Sequence, residues 1–413
     1  MSKSEIHEAR SLDGLLRRAA AGAPRRTALR FGAGAMSYAE LDAAVSGFAA
    51  ALAGRRSGAV VGVAAALHPA FPIAYFGAIR AGYVCAVVDP LLAEDELDHV
   101  LEVAGVNVLV ATAGMADPLR RIRLRLPDIT EVVYLDRPGD QGAHTVANLA
   151  RAHACQQIRS RPDPDSVACL RFGGGVPGRP EPIPLTHRNL AVGAAQAALA
   201  YGLDAGSAVV HHLPTYEPVY LNASIHATAT QVLCPDPDPA GGVALAAREG
   251  ATHYCGLPVR LARLAADPRR TYCRMPTVRA VLSGGSVLPP AAAARICERF
   301  GAPLIQWYGP PEAPLTHCDR LDRPTAGSVG RPVPGTDCRV VDAEGRHPVP
   351  PGVPGEVQVR GPQVAAETAA PDGWLRTGDI GYLDDEDVLF LVDRADGVSS
   401  RDDQLVSQSG VAR

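Results

Sequence analysis

The chain has 413 residues, a mass of 43.1 kDa and a net charge of −4 from 40 Lys and Arg against 44 Asp and Glu. One residue is a lysine, Lys3, and the other 39 basic residues are arginines, which excludes a Schiff-base, phosphate-loop or carboxylate-activating lysine in the folded body. With 20% charged residues in near balance, there is no electrostatic footprint for nucleic acid or an anionic membrane. The longest apolar run, 59–67, is far too short to span a bilayer. Ala, Gly, Pro and Arg enrichment points to a GC-rich bacterial gene. The polar N-terminus carries no secretory signal. The nine scattered cysteines include no C-x-x-C pair and read as buried apolar residues in a reducing compartment. The expectation is a soluble cytoplasmic α/β protein.

The first clear element starts at Ser37, where Ser37 and Glu40 form a capping box and Leu41, Val45, Phe48, Ala49 and Leu52 follow at helical spacing. A strand over 59–63, a helix over 71–81, a strand over 84–88, a helix over 94–103 and a strand over 107–111 continue the alternation. This predicts a mainly parallel sheet faced by helices. A Pro/Gly-dense stretch, 160–184, interrupts the rhythm, and a helix begins near Thr186. A second alternating region spans about 207–310. From 327 short strands with turn pairs predict a small antiparallel barrel or sheet. The domain division is therefore 1–172 and 173–326 for two layered βα subdomains, 327–395 for the small β subdomain, and 396–413 for a hinge and polar tail.

An ordered set of motifs resembles the AMP-forming adenylating enzymes: acyl-CoA synthetases, amino-acid adenylation domains and luciferases. Met36 to Leu41, Phe76 to Gly82 with Val88-Asp89-Pro90, Leu185 to Leu190, Ser283 to Ser286, Tyr308 to Glu312, Gly327 to Pro332, Gly355-Glu356, Gly373 to Asp379 and Asp393-Arg394 occur in the family's order. The resemblance implies a large N-terminal domain of two βα layers and a small barrel. It also implies roles for single residues. Asp379 would accept from both ribose hydroxyls, Arg394 would contact ribose or phosphate, and Tyr308 would stack on adenine. Gly284, Gly285 and Ser286 would let base and acyl group approach the backbone, Glu312 would hold Mg²⁺, and Asp396 would be the hinge.

The departures fall where the family's chemistry lies. Its phosphate loop, T-S-G-T-T-G-x-P-K-G, aligns with Gly173-Gly174-Gly175-Val176-Pro177-Gly178-Arg179-Pro180-Glu181-Pro182. The four hydroxyl positions are Gly173, Gly174, Val176 and Pro177, Glu181 stands at the lysine, and two prolines remove backbone donors. One charge pair at contact distance, at an effective dielectric near 20, is worth about 4 kcal/mol. Even after solvent discounting, reversing that charge costs roughly two or three orders of magnitude in affinity. ATP–Mg²⁺ in the usual mode is therefore disfavoured. Pro311 stands at the threonine of Y-G-x-T-E and Glu217 at the histidine of L-P-x-F-H. The chain also stops 17 residues beyond Asp396, so the family's mobile C-terminal domain, with its lysine and thiol-delivering surface, is expected to be absent.

Three functions follow as expectations. The first is an enzyme that acts on a pre-activated acyl thioester without adenylating it, by acyl transfer, condensation or cyclisation in bacterial, plausibly secondary, metabolism. Its acid/base candidates are His211, His212 and Glu217, with Tyr216 as a donor, and its acyl pocket would be lined by Tyr216, Val219, Tyr220 and Asn222. Cys169 is read as core in preference to nucleophile, and His187 as packing at its helix start. The second is an acyl or aminoacyl ligase completed in trans, and the third a non-catalytic partner in a biosynthetic complex. AMP, CoA or an acyl thioester are the cofactor candidates, and a small acyl substrate or a carrier-protein thioester the partner, with neither nucleic acid nor membrane.

Overall fold

Two capping boxes start helices that order the layers. Ser37 caps the Tyr38–Leu52 helix, its side chain accepting from the Glu40 N–H while the Glu40 carboxylate accepts from the Ser37 N–H. Thr186 and Asn189 repeat the arrangement at the start of the His187–Ala200 helix. The computed structural model describes residues 11–54, 58–136, 144–154, 156, 158, 162–176, 179–268, 275–342, 345 and 347–394.

The strands form three sheets. The first has six, in spatial order Glu131–Tyr134, Val106–Ala111, Val60–Ala64, Val84–Val88, Val167–Val176 and Arg179–Thr186. Its pairs are parallel except for the closing hairpin. The second has nine: Arg331–Pro332, His317–Cys318, Leu304–Tyr308, Ala280–Gly284, His253–Gly256, Ala208–His212, Thr230–Leu233, Thr27–Phe31 and Gly34–Ser37. Here too the interior pairs are parallel and the edges antiparallel. The third is a four-stranded antiparallel sheet of Asp337–Val341, Gly355–Arg360, Leu375–Leu383 and Leu389–Arg394. The strand and helix expectations between 37 and 111 agree with the observed elements to within a residue or two.

Two sequence readings are corrected. The Pro/Gly-dense stretch is a β-hairpin, because its prolines recur with the strand period. Pro180, Pro182 and Pro184 put their missing N–H groups on one side of the Arg179–Thr186 strand, which leaves Glu181, Ile183 and Leu185 to pair with Gly173, Arg171 and Cys169. A boundary at 172/173 therefore cuts a continuous strand, and the hairpin stays on the first sheet. Conversely, the Thr27–Ser37 hairpin, placed by chain position in the first subdomain, pairs with Thr230–Leu233 of the second sheet. Chain order alone does not reveal that crossing.

One buried charge cluster ties the first helices together. Arg80 is fully buried at the end of the Ala70–Arg80 helix and donates to Asp13 (2.8 Å), to Asp42 (2.6 Å) and to Ser46 Oγ (2.7 Å). Removing the cation leaves the buried Asp13 carboxylate with Arg17 alone, at 2.6 Å, and breaking a buried pair costs up to about 3–5 kcal/mol. Arg80→Met is expected to lower unfolding free energy by about that amount in urea titration, whereas the exposed Arg320→Met changes it by less than about 0.5 kcal/mol.

Candidate functional site

The carboxyl ends of the second sheet's parallel strands open into a cleft of about 110 Å³, which is where open α/β sheets commonly bind ligands. Gly256, Gly284 and Trp307 reach it from three adjacent strands, and Leu213, Pro214 and Thr215 from the segment after a fourth. Arg171 and Phe172 of the first sheet's hairpin form the facing wall, with Gly309, Pro310, Pro311 and Pro314 beside them.

Two glycines shape it by lacking a side chain. A Cβ on Gly284 would stand 2.1 Å from the Trp307 ring, and one on Gly173 would stand 2.5 Å from Pro311 Cγ. Trp307 in turn donates from its indole to Tyr220 Oη at 2.7 Å, the two rings crossing at 89°. Glu217 closes one end. It caps the Pro218–His226 helix, accepting from the Val219 N–H at 3.2 Å, and accepts from Arg171 Nη1 at 2.9 Å. Proline at the first helical position suits this start, because its missing N–H needs no partner there.

Of the four acid/base candidates, the cleft brings in one, Glu217. His211 is fully buried between Tyr216 and Tyr220, with neither ring nitrogen hydrogen-bonded among the described residues. Burial lowers its pKa from 6.5 to about 3. His212 faces the other side of the strand, where Nδ1 meets the Tyr254 hydroxyl at 2.6 Å and Nε2 meets the Asp236 carbonyl at 2.8 Å. Burial and nearby Arg260 lower it to about 4. Tyr216 stacks on Phe71 and donates to Gln231 Oε1 at 2.9 Å, away from the cleft. These three are packing groups, because strand alternation and aromatic stacking turn them inward.

Val219 and Tyr220 line the cleft as expected of an acyl pocket, and Tyr216 does not. Asn222 lines a void of about 20 Å³ behind Arg171 and Val219 and donates to Tyr75 Oη at 3.3 Å. Burial pushes the Cys169 thiol up to about 12 and His187 down to about 4, so both belong to the packing.

On the expected nucleotide side, Gly284 and Gly285 border the cleft, Gly285 at φ +98° with open space above it. Ser286 and Glu312 are half-buried and do not line it. The Tyr308 hydroxyl donates to Asp379 Oδ2 at 2.6 Å, and Arg394 stands opposite Asp379 in the ladder. In the phosphate-loop segment, Gly173, Gly174 and Gly175 are strand residues and Glu181 is exposed on the partner strand. Gly178 and Asp396 lie outside the described residues. No cluster of three or more metal-ligating side chains occurs among the described residues, and no described helix is long and apolar enough to cross a membrane.

Sequence reasoning missed Arg171, the cation of the cleft, and Trp307, its aromatic wall. The one available signal was position: Arg171 lies two residues before the glycine run, on an inward phase shared with Cys169.

The sequence pattern of the AMP-binding enzyme family matches residues 16–367. A long-chain-fatty-acid–CoA ligase of Bacillus subtilis (strain 168) is 27% identical over 429 aligned residues, covering 93% of this chain and 77% of that protein. A feruloyl-CoA synthase of an Amycolatopsis species is 30% identical over 393, covering 90% and 76%. Among solved structures, apo MbtA of Mycobacterium smegmatis superposes with a TM-score of 0.85 at 29% identity, covering 94% of this chain and 76% of that one.

Two outcomes test the geometry. Gly284→Ala is expected to displace Trp307 into the cleft, abolishing ligand-induced thermal shifts while costing about 1–3 kcal/mol in denaturant titration. The buried neutral His211 and His212 have folded pKa values below the unfolded value, so the unfolded chain binds more protons as pH falls. Their stabilisation is present above about 6.5 and is lost as pH drops towards about 3. Thermal scans from pH 7 to 4 are expected to show a falling Tm, with a shallower slope in His211→Phe.

Proposed function

The chain belongs to the AMP-binding enzyme family, and we infer from its cleft that it handles an acyl group already activated as a thioester, without forming an acyl adenylate. The observation that carries this reading is the charge of the cleft. Its charged lining residues are Arg171 and Glu217, which pair with each other, so no net positive charge faces a ligand. A triphosphate with Mg²⁺ needs cations and hydroxyl donors. The segment aligned with the phosphate loop offers Gly173 and Gly174 at two hydroxyl positions and the exposed Glu181 at the lysine position. These residues do not fit ATP–Mg²⁺.

An acyl thioester makes smaller demands. Its acyl chain suits a cleft walled by Phe172, Leu213, Val219, Tyr220 and Trp307, and its thiol leaving group removes the need for adenylation. Glu217 is the group placed to exchange a proton there. AMP or the nucleotide portion of CoA would address Tyr308, Asp379 and Gly285. The Tyr308 hydroxyl occupies one oxygen of Asp379, so a ribose would share the carboxylate with it or displace it.

A second reading, ATP-dependent ligation with missing parts supplied in trans, is favoured by the ligase relatives. Pyrophosphate exchange separates the two. The first predicts no ATP–pyrophosphate exchange with fatty, aryl or amino acids, thiol release from an acyl-CoA as its acyl group passes to water or an added nucleophile whose proton goes to the departing thiolate, and a thermal-shift ranking of acyl thioester above AMP above ATP–Mg²⁺. Acid-dependent AMP formation by the isolated chain would overturn it. Glu217→Gln is expected to lower thiol release by roughly 10²–10⁴-fold, the range for one general acid or base.

A further inference from the structure

The near balance of charge along the whole chain conceals a local excess. Residues 239–300 carry nine arginines against three acidic residues, a net +6, which leaves −10 on the rest of a chain whose total is −4. Three helices of this stretch, Pro239–Arg248, Pro258–Ala266 and Pro290–Phe300, lie side by side on the second sheet. They turn Val243, Leu261, Leu264, Ile296 and Phe300 inward, where these pack with the strand residues Val210, Val232 and Val281. Helical spacing then fixes what faces outward. One arginine stands exposed on each helix, Arg248, Arg263 and Arg295, among small exposed residues such as Ala247, Ala266 and Ala294. The three helices together hold a single acidic residue, Glu298. Elsewhere on the surface Arg120, Arg121, Arg188, Arg320 and Arg360 each pair with a carboxylate. Arg248 likewise pairs with Glu249 at 3.0 Å, whereas Arg263 and Arg295 have no ion pair among the described residues.

We propose that the outward face of these three helices docks an acidic helix of a partner protein, with Arg263 and Arg295 pairing its carboxylates. Charge complementarity selects that occupant. A guanidinium with no carboxylate of its own keeps its planar fork for a bidentate contact that the other surface arginines already make within the chain. The −10 on the remaining residues repels an acidic partner, so its approach is steered to this one basic layer. Alanines between the arginines let a partner's backbone come close, and Val259, 38% exposed, adds apolar contact. A protein fits better than nucleic acid or lipid. The helices expose no aromatic side chain on which a base could stack, and Val259 is their one exposed large apolar residue, too little to enter a bilayer. None of Arg248, Arg263 and Arg295 lines the cleft, so the surface is independent of the thioester reading and of the outcome of pyrophosphate exchange.

The test uses the full chain and fluorescence anisotropy of a labelled amphipathic helical peptide built from Glu, Ala and Leu, beside its Gln-for-Glu counterpart. The acidic peptide is expected to bind about tenfold or more tighter than the neutral one, and to weaken as salt rises. Arg263→Glu with Arg295→Glu lowers that affinity by about tenfold or more, because it sets like charges opposite one another. Arg263→Gln with Arg295→Gln lowers it less, in the same direction, and keeps the test open should the reversed pair fail to fold. Arg120→Glu with Arg320→Glu changes the net charge equally at exposed positions elsewhere, and is expected to alter binding by less than about twofold. An equal loss in both reversed pairs would reduce the effect to net charge and overturn the proposal. So would no binding of the acidic peptide, equal binding of the neutral one, or binding untouched by substitution at Arg263 and Arg295. Vesicles of phosphatidylcholine with phosphatidylglycerol that bind through these arginines more tightly than the peptide would make the face a membrane site instead. Sedimentation showing that the two arginines hold a second copy of the chain would make it a self-interface, and either result defeats the partner reading.

Discussion

The segment from Leu213 to Glu217 is the constraint on which the cleft depends. It leaves the second sheet and crosses to the first, where the Tyr216 N–H donates to the Ala65 carbonyl at 2.6 Å and Thr215 bridges Ala66. It ends on Glu217, held by Arg171 of the first sheet's hairpin. Both sheets are thus fastened to one short, Pro-containing strip, and the strip itself is a wall of the cleft. Buried aromatics make the fastening rigid, since Tyr216 lies against Phe71 with ring centroids 5.1 Å apart and bonds Gln231 across the junction. The same packing encloses His211, whose ring lies between Tyr216 and Tyr220 with no hydrogen-bond partner among the described residues.

Much of the fold was legible because local signals agreed with tertiary ones. Ser37 with Glu40, the apolar run at 59–63 and the strand closed by Asp89-Pro90 each state one structure. What escaped was non-local. Nothing in residues 27–37 announces that they pair with 230–233, and hairpin prolines read as breakers until their two-residue period is noticed. The candidate site was legible in part. The motif order located Gly284, Gly285, Val219 and Tyr220 near one another, yet could not assign faces: His211 and His212 are adjacent in sequence, and strand alternation sends each into a different packed layer. Arg171 was invisible because arginine is this chain's default basic residue, so its occurrence carried little information.

Gly173 lets Pro311 approach to within the space of one methyl group, and the resulting contact fills volume beside the hairpin. In the family pattern these two positions carry hydroxyls. Here neither position has a side-chain hydrogen-bond donor, and the contact between the first hairpin and the 309–314 turn is apolar. That change is coherent across two distant stretches of sequence, which is what packing against one another requires of them.

The proline-marked edge of the first sheet has a consequence for the protein in a crowded solution. An exposed edge strand ordinarily offers a free ladder to any extended peptide, including another copy of itself. With Pro180, Pro182 and Pro184 on its open side, the Arg179–Thr186 strand presents carbonyls without the alternating donors that a seventh strand would need. The prolines therefore render the sheet's border sterile to templated growth, so that a glycine-rich hairpin, otherwise a natural seed for aggregation, ends the sheet.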